Sequence, residues 1–239
     1  VGMAVGPVIA EIIIGEFGFQ SFFIAASSLA FVGFFLHLPL AESYDGRISG
    51  SETSFFSVLT RKKMLLIVAL AFLFGFGLAA SSNFVSPFAK EQHITFISLY
   101  FIAYSSAAVM TRFFGGRLAD RVGEERIIPY ALITTGVGFL VLIALGGDII
   151  LVVAGFMSGC GHGFLFPCLN ALALRDEPRG IRGKINGIFT GGIDAGAFSG
   201  SIILGYVGQW AGFQTLFLIA GFALFAGFVI YRLKPARKS

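Results

Sequence analysis

Charged side chains are scarce in this sequence. Asp, Glu, Lys and Arg make up 13% of its 239 residues, whereas 56% of the residues are hydrophobic and 29 are phenylalanine. So little polar surface cannot enclose a water-soluble core, which excludes an ordinary soluble globular domain. A net charge of +4 could indicate a nucleic-acid partner in a soluble protein, but the positions of the charges indicate a membrane instead. The composition therefore predicts a protein that lies in the lipid bilayer and binds no nucleic acid.

Several chemistries lack the residues that they need. Cys160 and Cys168 lie on one predicted helix, about 12 Å apart along its axis, which is too far for a disulfide. Together with His162 they make no tetrahedral ligand set, so we expect neither a metal nor another cofactor. No Gly-x-x-x-x-Gly-Lys loop or Gly-x-Ser-x-Gly elbow is present, and we expect no enzyme activity. The chain opens at Val1 inside an apolar run, so we expect no signal peptide and a missing natural start.

Eight apolar stretches follow one another along the chain. Most approach the roughly 20 residues that a helix needs to cross the hydrocarbon core. They cover roughly residues 1–15, 20–38, 64–88, 95–115, 127–147, 149–173, 184–208 and 213–231. The only long connection begins at Pro39 and ends in Arg61-Lys62-Lys63, which is typical of a solvated linker. We therefore predict an all-α polytopic membrane protein with eight crossings.

The basic residues lie almost entirely on one side of these predicted helices. Lys90 is the one exception among the 17 lysines and arginines. The other sixteen flank alternate connections or the C-terminus, at Arg47, Arg61, Lys62, Lys63, Arg112, Arg117, Arg121, Arg126, Arg175, Arg179, Arg182, Lys184, Arg232, Lys234, Arg237 and Lys238. Such an asymmetry marks the cytoplasmic side of a membrane. We expect the long linker and the C-terminus in the cytoplasm.

An internal repeat appears when the chain is aligned with itself at an offset of 194 residues. Gly18-Phe19-Gln20 then falls on Gly212-Phe213-Gln214. Further matches are Phe23, Ala26, Gly33 and Phe34 on Phe217, Ala220, Gly227 and Phe228, and Gly2 and Gly6 on Gly196 and Gly200. The last four residues are predicted helix-packing glycines, since small residues let helices approach closely in lipid. Two helix pairs are therefore copies, and we expect the complete protein to have two similar halves.

The polar stretch Gly116-Arg117-Leu118-Ala119-Asp120-Arg121-Val122-Gly123 resembles the second-half signature loop of the major facilitator superfamily, twelve-helix secondary transporters made of two six-helix halves. Gly2-x-x-x-Gly6-Pro7 resembles the fifth-helix motif of its proton-coupled antiporters. The resemblance implies a major-facilitator-type helical bundle of which helices five to twelve are present. Residues 1–39 would be the last two helices of the N-terminal half, 40–63 the central cytoplasmic linker, and 64–239 the C-terminal six-helix half.

This polar stretch is the predicted cytoplasmic gate. Its glycines permit a tight reversal between two helices, and its opposite charges lie within one turn of each other. The residues assigned to the gate are Arg112, Gly116, Arg117, Asp120, Arg121 and Gly123. A static cytoplasmic anchor is the alternative, and Arg112 either joins the gate or extends its charge to the interface. Glu124 and Glu125 follow where the family usually has basic residues, so we expect them to pair with Arg126 or with Arg61-Lys62-Lys63.

Ionisable residues inside the predicted helices are candidates for proton coupling, because each is costly in lipid. Asp194 lies ten residues beyond Lys184, about 15 Å into the membrane. His162 stands among three glycines, where its imidazole can titrate or bind substrate. Glu11 lies near the outer face and is the third candidate. The alternatives are a structural hydrogen bond for Asp194 and for His162, and a solvated mouth position for Glu11.

Polar residues in mid-helix are candidates for a substrate cavity. Asn83 lies in a polar patch before Pro87, and Asn170 follows Pro167 in the same manner. His162 and Tyr104 complete the predicted set. Helix-to-helix hydrogen bonds are the alternative for the asparagines, and packing is the alternative for Tyr104.

The resemblance implies a secondary active transporter that moves a small organic solute by alternating access, with protons as the coupling ion and efflux as the direction. A proton symporter or uniporter, and a non-transporting membrane sensor or scaffold, stay open as alternatives. It further implies a bacterial inner membrane and a monomeric full-length protein.

Overall fold

A computed structural model describes residues 2–39 and 53–233, and the regular structure in that part is helical throughout. The helices are α1 (Gly2–His37), α2 (Phe55–Leu59), α3 (Lys62–Ala79), α4 (Val85–Glu91), α5 (Ser98–Val122), α6 (Glu124–Leu142), α7 (Asp148–Leu174) and α8 (Arg182–Arg232). A π-helical turn, Ala80–Phe84, joins α3 to α4, and a 3-10 turn, Arg179–Ile181, precedes α8. The predicted all-α fold is confirmed.

Helices α1 and α8 each consist of two helical segments that meet at one glycine. Gly18 has φ 79° and ψ 173°, and Gly212 has φ 83° and ψ 164°. These angles pair a positive φ with an extended ψ, a region open essentially to glycine alone. The two glycines are counterparts in the 194-residue repeat, so the repeat in sequence is a repeat in backbone conformation.

Counting these segments separately, the described residues contain the eight predicted helices. Five helical stretches are long and apolar enough to cross a membrane, namely Val8–His37, Lys62–Glu91, Glu124–Leu142, Asp148–Leu174 and Arg179–Arg232. The first and last of these contain the glycine turns and hold two segments each. Helix α5, with 25 residues, is the eighth segment.

The first segment of α8 runs parallel to α3 at very short distance. A β-carbon on Gly196 would overlap the Phe72 carbonyl group, and one on Gly200 would meet Phe76. From the first contact to the second, the residue number rises by four, about one helical turn, on both helices. The two helices therefore run parallel. Glycine is therefore required where the two backbones touch.

Beyond Gly212, α8 runs back along α3. Leu224 approaches Gly77, whereas the later Gly227 approaches the earlier Leu73. The residue numbers now run in opposite directions, so the chain has reversed at Gly212.

Helix α7 uses its own glycines to pack between α5 and α6. A β-carbon on Gly155 or Gly159 would overlap the backbone of Tyr100 or Tyr104, and one on Gly161 would overlap Thr135. Helices α3 to α8 thereby form one bundle with a continuous apolar core. Because the glycines of α7 lie on opposite sides of His162, they also determine how closely α5 and α6 enclose that residue.

Helix α1 lies outside this bundle. It packs against α5. The most apolar part of its span Val8–His37 contains no buried residue. A β-carbon on Gly6 would meet no atom within 4 Å of the described structure. The face that the sequence predicts for helix packing is thus open in the described residues.

The predicted reversal between α5 and α6 is shorter than the glycine pattern suggested. Helix α5 continues through the glycine-rich stretch to Val122, and α6 begins at Glu124. Gly123, with φ 86°, is the single connecting residue. A glycine-containing polar sequence at a membrane surface can stay helical when its backbone hydrogen bonds continue.

The predicted linker, residues 40–63, is partly structured. Residues 40–52 lie outside the described part, but α2 follows at Phe55–Leu59 and α3 starts at Lys62. Val58 of α2 is fully buried. The end of the linker therefore packs onto the bundle.

Candidate functional site

A cavity of about 520 Å³ opens on the side of the bundle between α3, α5, α7 and α8. Its size is that of a small-molecule site. Its wall includes Phe74 and Leu78 of α3, Tyr104, Ser105 and Arg112 of α5, His162 and Phe166 of α7, and Thr190 and Ile193 of α8. Four helices that are far apart in sequence thus contribute to one mainly apolar pocket with a few polar groups.

Tyr104 and His162 form a buried pair in this wall. The Tyr104 hydroxyl and the His162 Nδ1 lie 2.9 Å apart in a hydrogen bond. Tyr104 is 7% exposed and His162 3% exposed. The Phe74 ring meets the imidazole edge-on, with ring centroids 4.8 Å apart. The sequence analysis named the two residues as separate cavity candidates, and the structure shows that they are hydrogen-bonded to each other.

Two buried polar atoms on the cavity residues have no hydrogen-bond partner in the described structure. They are Ser105 Oγ and His162 Nε2. A buried polar group without a partner costs roughly 1–3 kcal/mol, so native structures rarely keep one without a reason. Ser105 and His162 line the same cavity, so a polar group of a bound ligand is one explanation for why these two atoms have no partner in the described structure.

Arg112 lies within α5 rather than at its end. Because α5 ends at Val122, Arg112 is ten residues from the helix end, about 15 Å along the axis. The sequence analysis assigned it either to the gate or to the interface, and both stay predictions. Its side chain lines the cavity with Tyr104 and His162. An arginine in the wall of a mainly apolar cavity is a candidate functional residue.

Asp194 lies on an exposed face of α8. It is one helical turn beyond Thr190, which does line the cavity. Among the described residues, Asp194 is not part of the cavity wall and has no ion pair. It therefore stands at the rim of the pocket, and its coupling role stays a prediction.

Glu11 is distant from this cavity. It lines a separate pocket of about 410 Å³ between α1 and the junction of α4 and α5, together with Ser86, Lys90 and Ser98. Lys90 is the one basic residue that the sequence places on the outer side. Glu11 and His162 line different pockets of the described structure, so the coupling role of Glu11 and its alternative, a solvated mouth position, both stay predictions.

The two asparagines bridge helices. The Asn83 amide donates a hydrogen bond of 2.8 Å to Ser201 Oγ of α8. Asn83 belongs to the π-helical turn Ala80–Phe84, a feature that widens a helix and is frequent at functional sites. The Asn170 amide donates to Asn186 Oδ1 of α8 at 3.3 Å. Neither asparagine lines the cavity that contains Tyr104 and His162, so their predicted contact with substrate stays a prediction.

Arg175 is the partner of the two glutamates that follow Gly123. Its guanidinium pairs with Glu124 and, at 3.5 Å, with Glu125. We expected Arg126 or Arg61-Lys62-Lys63 in this role. Arg175 lies in the next connection on the same side of the bundle, so this charge pairing joins the start of α6 to the end of α7.

The basic end of the linker pairs with a different acid. Arg61 Nη1 lies 2.9 Å from Glu177 Oε2, and Lys63 Nζ lies 3.8 Å from Glu177 Oε1. Lys63 also donates to the Arg175 carbonyl at 2.8 Å. Arg175 and Glu177, which follow α7, thus bind both the start of α6 and the end of the linker. In the sequence analysis Arg175 was only one of the basic residues on the predicted cytoplasmic side.

The predicted gate is described only in part. The structure describes Gly116, Arg117 and Asp120 as helical backbone, and their side chains lie outside the described part, as does the packing of Gly2. Arg121 is exposed near the end of α5, and Gly123 is the turn. The gating role of this stretch therefore stays a prediction.

Residues missed by the sequence analysis include Phe74, Ser105 and Thr190 of the cavity wall. The signal available for Ser105 was its spacing of seven residues from Arg112, which places both on one helix face. Thr190 stands in the same way four residues from Asp194.

Comparison with known proteins agrees with this architecture. The family model described as Major Facilitator Superfamily matches residues 1–175 and 93–239. An uncharacterized MFS-type transporter of Salmonella typhimurium is 27% identical over 204 residues, covering 82% of this chain and 52% of that protein. A multi-drug resistance efflux pump PmrA homolog of Lactococcus lactis is 24% identical over 238 residues, covering 91% and 58%. This chain thus spans little more than half the length of these relatives.

A solved structure shows the same fold. The crystal structure of a peptide transporter POT, an E310Q mutant in complex with alafosfalin, superposes with a TM-score of 0.61 at 23% identity. The match covers 75% of this chain and 39% of that one.

Proposed function

This chain belongs to the major facilitator superfamily, and on that premise we propose that the protein is a secondary active transporter of a small organic solute. The observation that carries the proposal is the cavity between α3, α5, α7 and α8, with its buried Tyr104–His162 pair. Secondary transporters of this kind work by alternating access, in which two halves rock about a central site. The cavity is open on one side, as the inner wall of one half would be.

The domain arrangement is part of this proposal. Residues 1–39 are assigned to the end of an N-terminal half, 40–63 to the central linker and 64–239 to the C-terminal half. The equal turns at Gly18 and Gly212 support two related halves. The open surface around Gly6 supports it further, because its counterpart Gly200 packs against α3. A helix equivalent to α3 would cover Gly6 in the same way.

We assign the linker, the turn at Gly123 and the C-terminus to the cytoplasm of a bacterial inner membrane. The support is that the described ion pairs all lie at the one end of the bundle where the basic residues collect. Lys90 lies away from these ion pairs and lines the same pocket as Glu11.

A proton gradient is the proposed energy source, with Asp194 as first carrier and His162 as second. Asp194 has an exposed carboxyl at the rim of the cavity, and His162 has one ring nitrogen without a partner. Both are ionisable side chains on helices that we assign to the membrane, which is where the residues of a proton relay are found. Efflux is the proposed direction, supported by the relative named as an efflux pump.

The test uses the full-length protein in proteoliposomes that contain a pH-sensitive dye. The solutes are ethidium, 2-naphthoate and 2-naphthylmethanol, which differ in charge. We expect saturable counterflow of at least one of them and proton movement in the opposite direction. If none shows saturable counterflow, the transport proposal is wrong and the sensor or scaffold alternative is favoured.

The coupling assignment is tested with Asp194→Asn. This variant should keep solute counterflow and lose solute-driven proton movement, because the amide cannot carry a proton. Asp148→Asn is the matched control, since Asp148 is an exposed acid in the first turn of α7, away from the cavity. Proton movement that survives in Asp194→Asn would show that this residue is not the carrier.

A further inference from the structure

We propose that the cavity selects substrates that carry an anionic group on an apolar body, and that Arg112 is the residue that recognises the charge. This inference rests on the proposed function, because it names the substrate class of the same site. It does not follow from the family, whose fold hosts many substrates. It follows from which charges the cavity wall does and does not contain.

Arg112 is the one charged side chain in the described cavity wall. The ion pairs among the described residues involve Arg61, Lys63 and Arg175, so none of them neutralises Arg112. Arginine stays protonated in proteins, and its guanidinium binds carboxylates, sulfonates or phosphates through two parallel hydrogen bonds. A cation without an ion-pair partner in the described structure, in the wall of a mainly apolar cavity, needs a negative partner, and a substrate can supply it.

Two further polar groups of the cavity wall belong to α5 and α7. Ser105 precedes Arg112 by two helical turns, which puts the hydroxyl about 10 Å from it along the axis. Ser105 Oγ is buried and has no partner in the described structure. The His162 Nε2 lacks a partner on the facing helix. These atoms can bind a polar group at the far end of a molecule whose charge is held by Arg112.

Aromatic rings form the wall between those two ends. The centroids of Phe74 and Phe166 lie 6.1 Å apart, and both rings line the cavity. The cavity of about 520 Å³ accepts a molecule with one or two rings. An anionic group, an aromatic body and a polar far end are therefore the features that the wall complements.

Asp194 provides the competing explanation. It stands one turn from Thr190 at the rim, and it could neutralise Arg112 when the cavity closes. In the described structure the two residues form no ion pair. If Asp194 were the permanent partner of Arg112, the cavity would show no preference for anions, so the two explanations predict different binding.

The experiment measures binding of three matched probes to purified full-length protein in detergent by equilibrium dialysis. The probes are 2-naphthoate, its neutral analogue 2-naphthamide and the cation 2-naphthylmethylammonium. A charge-assisted hydrogen bond predicts naphthoate binding about tenfold or more tighter than naphthamide. Equal binding of the three probes, tighter binding of the cation, or no binding of naphthoate would overturn the inference.

Variants separate the charge of Arg112 from its role in folding. Arg112→Gln should lower naphthoate affinity to that of naphthamide and leave naphthamide binding within about twofold. Arg112→Lys, which keeps the charge, should retain most of the preference. Arg126→Gln is the matched control, because Arg126 is an exposed arginine at the start of α6, outside this cavity. A preference that persists in Arg112→Gln would also refute the assignment.

This outcome is distinguishable from failure of the proposed transport function. Probe binding with the expected preference, but without counterflow in proteoliposomes, would refute transport and leave the site intact. Counterflow of ethidium with no preference for naphthoate would refute the anion selectivity and leave transport intact.

Discussion

Replacement of Gly212 by alanine tests the turn that divides α8 into two segments. Gly212 has φ 83° and ψ 164°, and a β-carbon there would meet no atom within 4 Å. Steric overlap with neighbours therefore contributes nothing, and the cost arises from backbone conformation alone. Residues forced into such a region cost about 1–3 kcal/mol each. Asparagine should do no better, because the left-handed region that it tolerates has a much smaller ψ.

The comparison variant is Gly187→Ala. Gly187 lies in the first segment of α8, where a β-carbon also meets no atom within 4 Å, but its backbone is helical. Alanine should stabilise that position by about 0.5–1 kcal/mol. The two variants should therefore differ by about 1.5–4 kcal/mol in the free energy of unfolding.

The assay is thermal unfolding of the full-length protein in detergent, followed by fluorescence-detected size exclusion. In a domain of this size, each kcal/mol shifts Tm by about 2–4 °C. Gly212→Ala should therefore unfold several degrees below both the parent and Gly187→Ala. Equal Tm values for the two variants would show that α8 does not turn at Gly212 in the way described, and the structural equivalence with Gly18 would lose its basis.

Two further substitutions test the packing of the bundle and the buried pair by the same assay. Gly196→Val should destabilise the protein by about 1–3 kcal/mol or more, because the valine side chain would displace the α3 backbone. Gly191→Val is the control, because a β-carbon at Gly191 meets no atom within 4 Å in the described structure. Equal stability of the two variants would contradict the close contact of α3 with α8. Tyr104→Phe should cost about 1–3 kcal/mol, because it leaves the His162 Nδ1 without its partner. Tyr206→Phe is its control at an exposed position, and an equally small effect of both would show that the buried hydrogen bond is absent.

The helices and their order could be predicted because the membrane imposes a simple rule. Each crossing needs a long apolar stretch whose backbone is satisfied within the helix, and such stretches are visible one by one in the sequence. The repeat predicted two copied helix pairs, and the structure adds that the counterparts Gly18 and Gly212 have nearly the same dihedral angles. The apolar stretches and the repeat can both be read along the chain without knowledge of tertiary contacts.

The partners of the charged residues could not be predicted in this way. Glu124 and Glu125 were expected to pair with Arg126 or the linker, yet Arg175 binds both. Residues in alternate connections come together only through the packing of α6 against α7, which glycine contacts determine. Sequence proximity and charge sign alone do not contain that information.

Arg112 shows what one stretch of sequence seen alone conceals. The sequence analysis assigned Tyr104 to a substrate cavity and Arg112 to the gate or the interface, because the glycines after Arg112 belong to a different motif. Helix α5 continues to Val122, so both residues belong to one unbroken helix. They are about two turns apart, and together with His162 of α7 they line the same cavity. In a mainly apolar cavity the counter-charge of an arginine comes from the protein or from the molecule that it binds.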